Sequence, residues 1–274
     1  LLNVVPPDVF VPGNHEFDFG KEVYLKRRAE MKAPFLAANL RNEDGAPPAG
    51  HEDRRMFEMG PVKVGVFGVA LATTPLMSSA AGFRFTDEMA AVQEQAKALR
   101  EAGADIVVAV THTDMTTDFN IVRSRHVDVL LTGHDHDLRI YYDNRVAMVE
   151  SGEEGDYVTI VDMYCTIAEK DGKRTVTWRP VFRPIDSSHV TADPEADAIV
   201  KKYEAELSRE LDVVIGKTAV DLDSRSAVVR SQEAAIGNLM ADAIRASTGA
   251  EVAVINGGGI RANKQSPAGA TLTR

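Results

Sequence analysis

The sequence predicts an α/β fold, with a large α/β domain followed by the start of a second, smaller one. Two observations carry this expectation. Through the first 190 or so residues, apolar strand-like runs alternate with segments of helical period. After a long charged helix pattern, a second helix and a second apolar run begin the alternation anew. The expected division is residues 1–190 for the first domain, 191–211 for a connecting helix and 212–274 for an incomplete second domain.

In order along the chain, "DVFV" reads as a strand stopped by Pro12-Gly13, "GKEVYLKRRAEM" as a helix and "PFLAANL" as a second strand. "HEDRR" and the turn-rich "NEDGAPPAG" belong on the surface. "VKVGVFGVA" is the most apolar run. "TDEMAAVQEQAKALREAG" is an amphipathic helix with a capping-box-like start at Thr86 and a glycine stop. "ADIVVAVTH" is a buried strand, "TDFNIVRSR" a short helix and "VDVLLTGHDH" a strand with a polar end. From Leu138 to Ile185 the pattern alternates as paired strands do, which suggests a sheet edge or a second sheet. "DPEADAIVKKYEAELSREL" is the charged helix. After it "SQEAAIGNLMADAIRAST" is amphipathic, and "AEVAVINGGGIR" reads as a strand with a glycine-rich end.

The chain has 274 residues, 44% hydrophobic and 26% charged, with a net charge of −10. That acidic balance excludes a nucleic-acid polymer as the expected partner, because phosphate backbones are held by clustered Lys and Arg. A small phosphorylated substrate remains compatible, since a few placed cations outweigh the global field. The single cysteine, Cys165, leaves no intrachain disulfide and is read as a small apolar strand residue. No apolar run approaches the ~20 residues of a membrane helix. The chain opens directly into a strand without Met and stops without a closing element, so truncation at both ends is expected.

The chemistry is expected at three strand ends. "GNHE" places Asn14 and His15 after the first strand, "VTHTD" places His112 after a middle one, and "LTGHDH" places His134 and His136 after the next. Ligands of α/β sheets bind outside the carboxyl ends of strands. Four of the seven histidines lie there, and imidazoles with an amide oxygen suit Zn, Mn, Fe or Ni. Gly13 and Gly133 precede the polar clusters, allowing sharp turns and close backbone approach. In an extended segment His134 and His136 would point the same way; a turn would send them to different metals. Asp18, Asp114, Asp135 and Asp137 read as further ligands or, preferably, as partners orienting imidazoles or as helix caps.

"GNHEFDFG", "THTD" and "GHDH" resemble successive blocks of the calcineurin-like metallophosphoesterase superfamily. "RSQEAAIGNLMADAI" and "NGGGIR" resemble the carboxyl-terminal domain of the 5′-nucleotidase / 2′,3′-cyclic-nucleotide phosphodiesterase family. Together they cover nearly the whole chain, in the family's order. The resemblance implies a partial metallophosphoesterase αββα sandwich followed by the start of the substrate-binding domain. It implies two divalent ions (Zn, Mn, Fe, Ni or Co), with Asn14, His112 and His134 as ligands of one and His136 of the other. His15 matches the non-ligand histidine that stabilises the transition state or protonates the leaving oxygen. The implied reaction is hydrolysis of 5′-nucleotides to nucleoside and phosphate by a hydroxide that the metals activate.

The family's earlier Asp-x-His and Gly-Asp blocks are absent from these residues, so this stretch alone is expected to be inactive and to bind metal weakly, at most one ion per chain. In the second domain Arg230 and Arg261 match phosphate-binding arginines, Asn256 matches a substrate-contacting asparagine, and Gly258 lies in the "GGG" that lets backbone approach a ligand. The base-stacking aromatics of the family fall beyond Arg274. The alternatives are a phosphodiesterase or pyrophosphohydrolase acting on 2′,3′-cyclic nucleotides or UDP-sugars, a sulfur-oxidation enzyme, or a non-catalytic nucleotide- or metal-binding protein. A periplasmic or extracellular location with a signal peptide upstream of Leu1 is expected; the cytoplasm is also compatible with one cysteine, and no oligomeric state follows.

Overall fold

The computed structural model describes residues 1–274, apart from the side chains of Lys170 and Lys173. The chain divides into two compact units, Leu1–Asp193 and Pro194–Arg274.

The first unit is built on a six-stranded mixed sheet. Helix α1 (Gly20–Glu30) precedes it; its strands are β1 (Arg54–Met59), β2 (Val62–Val69), β3 (Ile106–Thr111), β4 (Val129–Thr132), β5 (Leu138–Tyr142) and β6 (Ala147–Ser151), in spatial order β1-β2-β3-β4-β6-β5. The β2/β3, β3/β4 and β4/β6 pairs are parallel, and the edge strands β1 and β5 pair antiparallel. Helix α2 (Glu88–Glu101) leads from β2 to β3 and α3 (Met115–Ser124) from β3 to β4. These crossovers explain the near-continuous apolar strands, since a parallel sheet is covered on its faces. Phe67, Val107, Ala109, Leu130 and Met148 pack with Val92, Ala96 and Leu99 of α2 and Ile121 and Val122 of α3. On another cluster of the same sheet, Val62, Val64, Val66 and Ile106 pack with Leu36, Met163 and Trp178. The long hairpin of β7 (Tyr157–Lys170) and β8 (Lys173–Asp186) supplies the last two of these. Cys165 lies in β7 and is exposed.

Three local expectations are corrected. "DVFV" forms only an isolated parallel bridge, Phe10 to Phe35. Pro6, Pro7 and Pro12 frame it, and proline has no N–H to extend a ladder. "HEDRR" lies at the surface as expected, and there it is strand: His51–Glu52 pairs with Phe35–Leu36, and β1 begins at Arg54, because alternate residues of a polar edge strand can face solvent. Helix α2 is capped by Asp87, whose carboxylate accepts from the Ala90 N–H, rather than by Thr86. "AEVAVIN" is not a strand; it has no ladder partner among the described residues, and Val252 and Val254 are 76% and 89% exposed.

The second unit contains α4 (Pro194–Leu211), α5 (Ala235–Thr248) and short strand pairs that include Val214–Lys217 with Thr271–Thr273. Gly249, at φ 69°, ends α5 in the left-handed conformation that glycine adopts without strain.

Candidate metal and phosphate site

The "GNHEF" turn is a short 3₁₀ helix, Asn14–Phe17. Two anchors hold it. Phe17 is fully buried, stacked on Tyr24 with ring centres 4.4 Å apart and set edge-on to Phe83 at 5.5 Å. The Gly13 N–H donates to Glu16 Oε2 at 2.6 Å. Burial still raises the Glu16 carboxyl above its ordinary value. Gly13 is required sterically, because a Cβ there would lie 2.9 Å from Cε1 and 3.0 Å from Nε2 of His112. The turn is thereby pressed against the end of β3.

Three donor atoms converge at that point. His112 Nε2 lies 3.0 Å from Asn14 Oδ1 and 3.2 Å from His134 Nδ1. Donors at the ~2.0–2.1 Å bond lengths of zinc-like ions, in tetrahedral array, stand about 3.3 Å from one another. The observed spacing and the amide–imidazole donor set therefore fit one borderline divalent ion. Burial, reinforced by the neighbouring histidines His134, His15 and His136, pushes His112 down to about 4. It is neutral at pH 7, as a ligand must be.

The "GHDH" segment is a turn, which decides between the two arrangements left open by its spacing. His134 has φ 117° and His136 φ 69°. The left-handed geometry falls on the histidines and not on Gly133, contrary to the role expected of that glycine. His134 faces His112, whereas His136 Nδ1 pairs with Glu153 Oε2 at 2.6 Å. Glu153 carries no motif, so only the fold reveals it. His15 takes a partner of its own: its side chain is 63% exposed and its Nδ1 lies 2.7 Å from Asp18 Oδ2. Partial burial opposes it, but the contact with His15 holds the Asp18 carboxyl below its ordinary value. Asp114 caps α3 by accepting from the Thr117 N–H, and Asp137 pairs with Arg139.

Asp135 belongs to a second cluster, with Asp118 and Glu150, whose carboxylate oxygens lie within 4.8 Å of one another. Asp118 and Glu150 are 0% and 1% exposed. Sequence reasoning passed over both. The readable signal was Asp118 standing on the same helical face as Ile121 and Val122, an apolar position. Asp118 Oδ1 accepts from Thr113 and Thr132 at 2.6 and 2.9 Å, while its Oδ2 has no partner among the described residues. Burial, with Glu150 and Asp135 nearby, pushes the Asp118 carboxyl up to about 7 against the pull of the two threonines. Glu150, also raised chiefly by burial, accepts from the Asp135 N–H at 2.9 Å and pairs with Arg139 at 3.2 Å. A carboxyl whose folded value exceeds its unfolded one stabilises fully below the unfolded value and loses that contribution as pH rises through the folded value. Metal-free Asp118→Asn should therefore gain stability over the unsubstituted protein between about pH 4 and 7 and keep the gain above it. The gain is a few kcal/mol at most, at about 1.4 kcal/mol per pH unit. Urea melts at pH 4.5 and pH 8 check it; an equal difference at both would refute it.

In the second unit, Gly257–Gly259 forms a 3₁₀ turn capped by Asn256, whose Oδ1 accepts from the Gly258 N–H at 3.0 Å. The indispensable glycine is Gly257. A Cβ there would lie 2.0 Å from the Val229 carbonyl oxygen, which brings this turn beside Val229 and Arg230. Arg230, Asn256 and Arg261 are exposed, and neither arginine forms an ion pair among the described residues. Gly257→Ala should destabilise this unit by about 1–3 kcal/mol, the cost of overpacking against backbone. Faster hydrogen exchange of the α5 amides would register it, and unchanged protection would refute it.

The calcineurin-like phosphoesterase family model matches residues 1–138, half of the chain, and the model for the 5′-nucleotidase C-terminal domain matches residues 214–274. Among curated relatives, the chain is 27% identical over 285 residues to endonuclease YhcR of Bacillus subtilis, covering 95% of this chain and 23% of that protein. It is 28% identical over 275 residues to an apyrase of Anopheles gambiae, covering 89% of this chain and 47% of that one. The chain thus spans half or less of the length of these relatives. The structure resembles that of a 5′-nucleotidase precursor from Thermus thermophilus, with a TM-score of 0.79 and 22% identity, over 99% of this chain and 57% of that one.

Proposed function

The chain belongs to the calcineurin-like phosphoesterase family, and on that premise we propose that it hydrolyses phosphate esters of nucleotides, with 5′-mononucleotides as the leading substrates. The observation that carries this reading is the convergence of Asn14 Oδ1, His112 Nε2 and His134 Nδ1 at strand ends. In this reading those three hold one divalent ion and His136 contributes to a second. Such ions supply Lewis-acid polarisation of the phosphoryl group and activation of water.

The chain's own residues do the remaining work. Glu153 fixes the His136 ring through Nδ1 and leaves Nε2 as its ligand atom. Asp18 accepts from His15 Nδ1–H and leaves Nε2 free to exchange a proton with the leaving oxygen, which the doubly protonated ring would donate from Nε2. Arg230 and Arg261, with no carboxylate partner among the described residues, receive phosphate oxygens, while Asn256 and the Gly258 backbone contact the substrate. The net charge of −10 favours a single nucleotide over a polymer, although one relative is an endonuclease. Among the described residues no helix is long and apolar enough to cross a membrane. The reading includes an exported enzyme of nucleotide catabolism, and a cleaved leader encoded upstream of Leu1 would support that part.

The test uses the protein expressed from its whole reading frame. Hydrolysis of 5′-AMP should vanish on exhaustive chelation and return with Mn²⁺, Co²⁺ or Zn²⁺; full activity after chelation would overturn the reading. Arg261→Ala should cost about 1.5–3 kcal/mol for each charge-assisted bond lost on 5′-AMP, and less on bis(p-nitrophenyl) phosphate. Equal losses on the two would remove Arg261 from recognition.

A further inference from the structure

The hydrogen-bonded ladder between β3 and β4 ends at Val110↔Leu131. The ligand histidines stand beyond it, at 112 and 134, where among the described residues the only backbone bond between the two segments is one of 3.3 Å from Thr113 N–H to the Gly133 carbonyl. Side chains take over where the ladder stops. The Thr113 and Thr132 hydroxyls both donate to Asp118 Oδ1, at 2.6 and 2.9 Å. The Thr111 hydroxyl lies 3.0 Å from that of Thr132 and 2.9 Å from that of Thr113. Thr113 follows His112 directly, and Thr132 precedes Gly133-His134. One carboxylate oxygen, delivered by the first turn of α3, therefore ties together both segments that present ligands.

Burial of this carboxylate is unfavourable for the fold taken alone. Asp118 has no exposure, one oxygen has no partner among the described residues, and Glu150 and Asp135 crowd it. Buried, partly satisfied carboxylates are costly. The backbone it braces is itself in an unfavourable conformation, with His134 at φ 117°. Such conformations persist only where the surroundings over-determine them.

We propose that Asp118 is a positioning residue: through Thr113 and Thr132 it holds His112 and His134 at the separation one divalent ion requires. This rests on the ligand reading above. The carboxylate touches neither metal nor substrate in this role, and its acceptor oxygen rather than its charge is what matters.

Co²⁺ titration of the 274-residue chain, followed by visible absorption, tests it. The unsubstituted chain should bind Co²⁺, and His134→Ala should abolish the spectrum. Thr113→Val with Thr132→Val should weaken Co²⁺ about tenfold and alter the band intensities, as loss of ligand orientation does. Asp118→Ala should do the same. Thr113→Ser, which keeps the hydroxyl, and Asp118→Asn, which keeps an acceptor oxygen, should bind within about twofold of the unsubstituted chain. Circular dichroism confirms folding, and if Asp118→Ala fails to fold the threonine variants decide. Unchanged affinity and spectrum in the double threonine variant, with His134→Ala still abolishing binding, would overturn the clamp and spare the ligand reading. Asp118→Asn as damaging as the double variant would also overturn it. No Co²⁺ bound by the unsubstituted chain would overturn both.

Discussion

In the protein expressed from its whole reading frame, replacing His134 by alanine is expected to lower phosphoester hydrolysis at least about 100-fold, because loss of a metal ligand exceeds the 10–100-fold effect of losing a group that merely orients one. The geometry makes the residue hard to replace. Its Nδ1 shares the space in front of His112 Nε2, 3.2 Å away, and no other imidazole meets that atom among the described residues. Metal content measured on the same preparation should fall in parallel. His134 also bears φ 117°, a value suited to glycine. His134→Gly should therefore be as inactive as His134→Ala yet more stable, by about 1 kcal/mol of relieved strain. This pair separates ligation from folding. An active alanine variant with normal metal content would remove His134 from the ligand set, whatever its stability.

The second large effect is expected at His15. His15→Ala should reduce kcat by about 100- to 10,000-fold, the range of general acid–base catalysis, with metal content unchanged. The ring is 63% exposed and tied through Nδ1 to Asp18 at 2.7 Å, whereas Asn14, its neighbour in sequence, is buried and faces His112. Adjacent residues thus serve different partners. If His15 protonates the leaving oxygen, the loss should shrink on p-nitrophenyl phosphate, whose leaving group departs without a proton. Asp18→Asn should show a smaller loss of the same kind. A fall in metal stoichiometry on His15→Ala, or an equal loss on both substrates, would assign His15 another role.

The alternation of strands and helices in the first unit was legible because each parallel strand is covered on its faces and so reads as an unbroken apolar run. Helices α2 and α3 were legible from their period and flanking polar residues. The candidate ligands were legible too, since His112 and the pair in "GHDH" interrupt apolar runs at their carboxyl ends, where a polar group has no structural reason to recur. "AEVAVIN" failed for the opposite reason: strand character belongs to a ladder and not to a segment, and apolar alternation without a partner remains an extended exposed chain.

Composition and spacing by themselves determined which residue types stand at the strand ends, and therefore where a metal was to be expected. The tertiary structure alone decided which donors meet. His134 joins His112 and Asn14 while His136 turns to Glu153, because the backbone reverses at two histidines whose positive φ no local propensity predicts. It alone exposed Asp118, a carboxylate on an apolar helical face that lies near β3 and β4 only once α3 has packed against the sheet. Spacing records distance along the chain, whereas coordination and hydrogen bonding depend on distance through space, and the two coincide only within one turn or one strand.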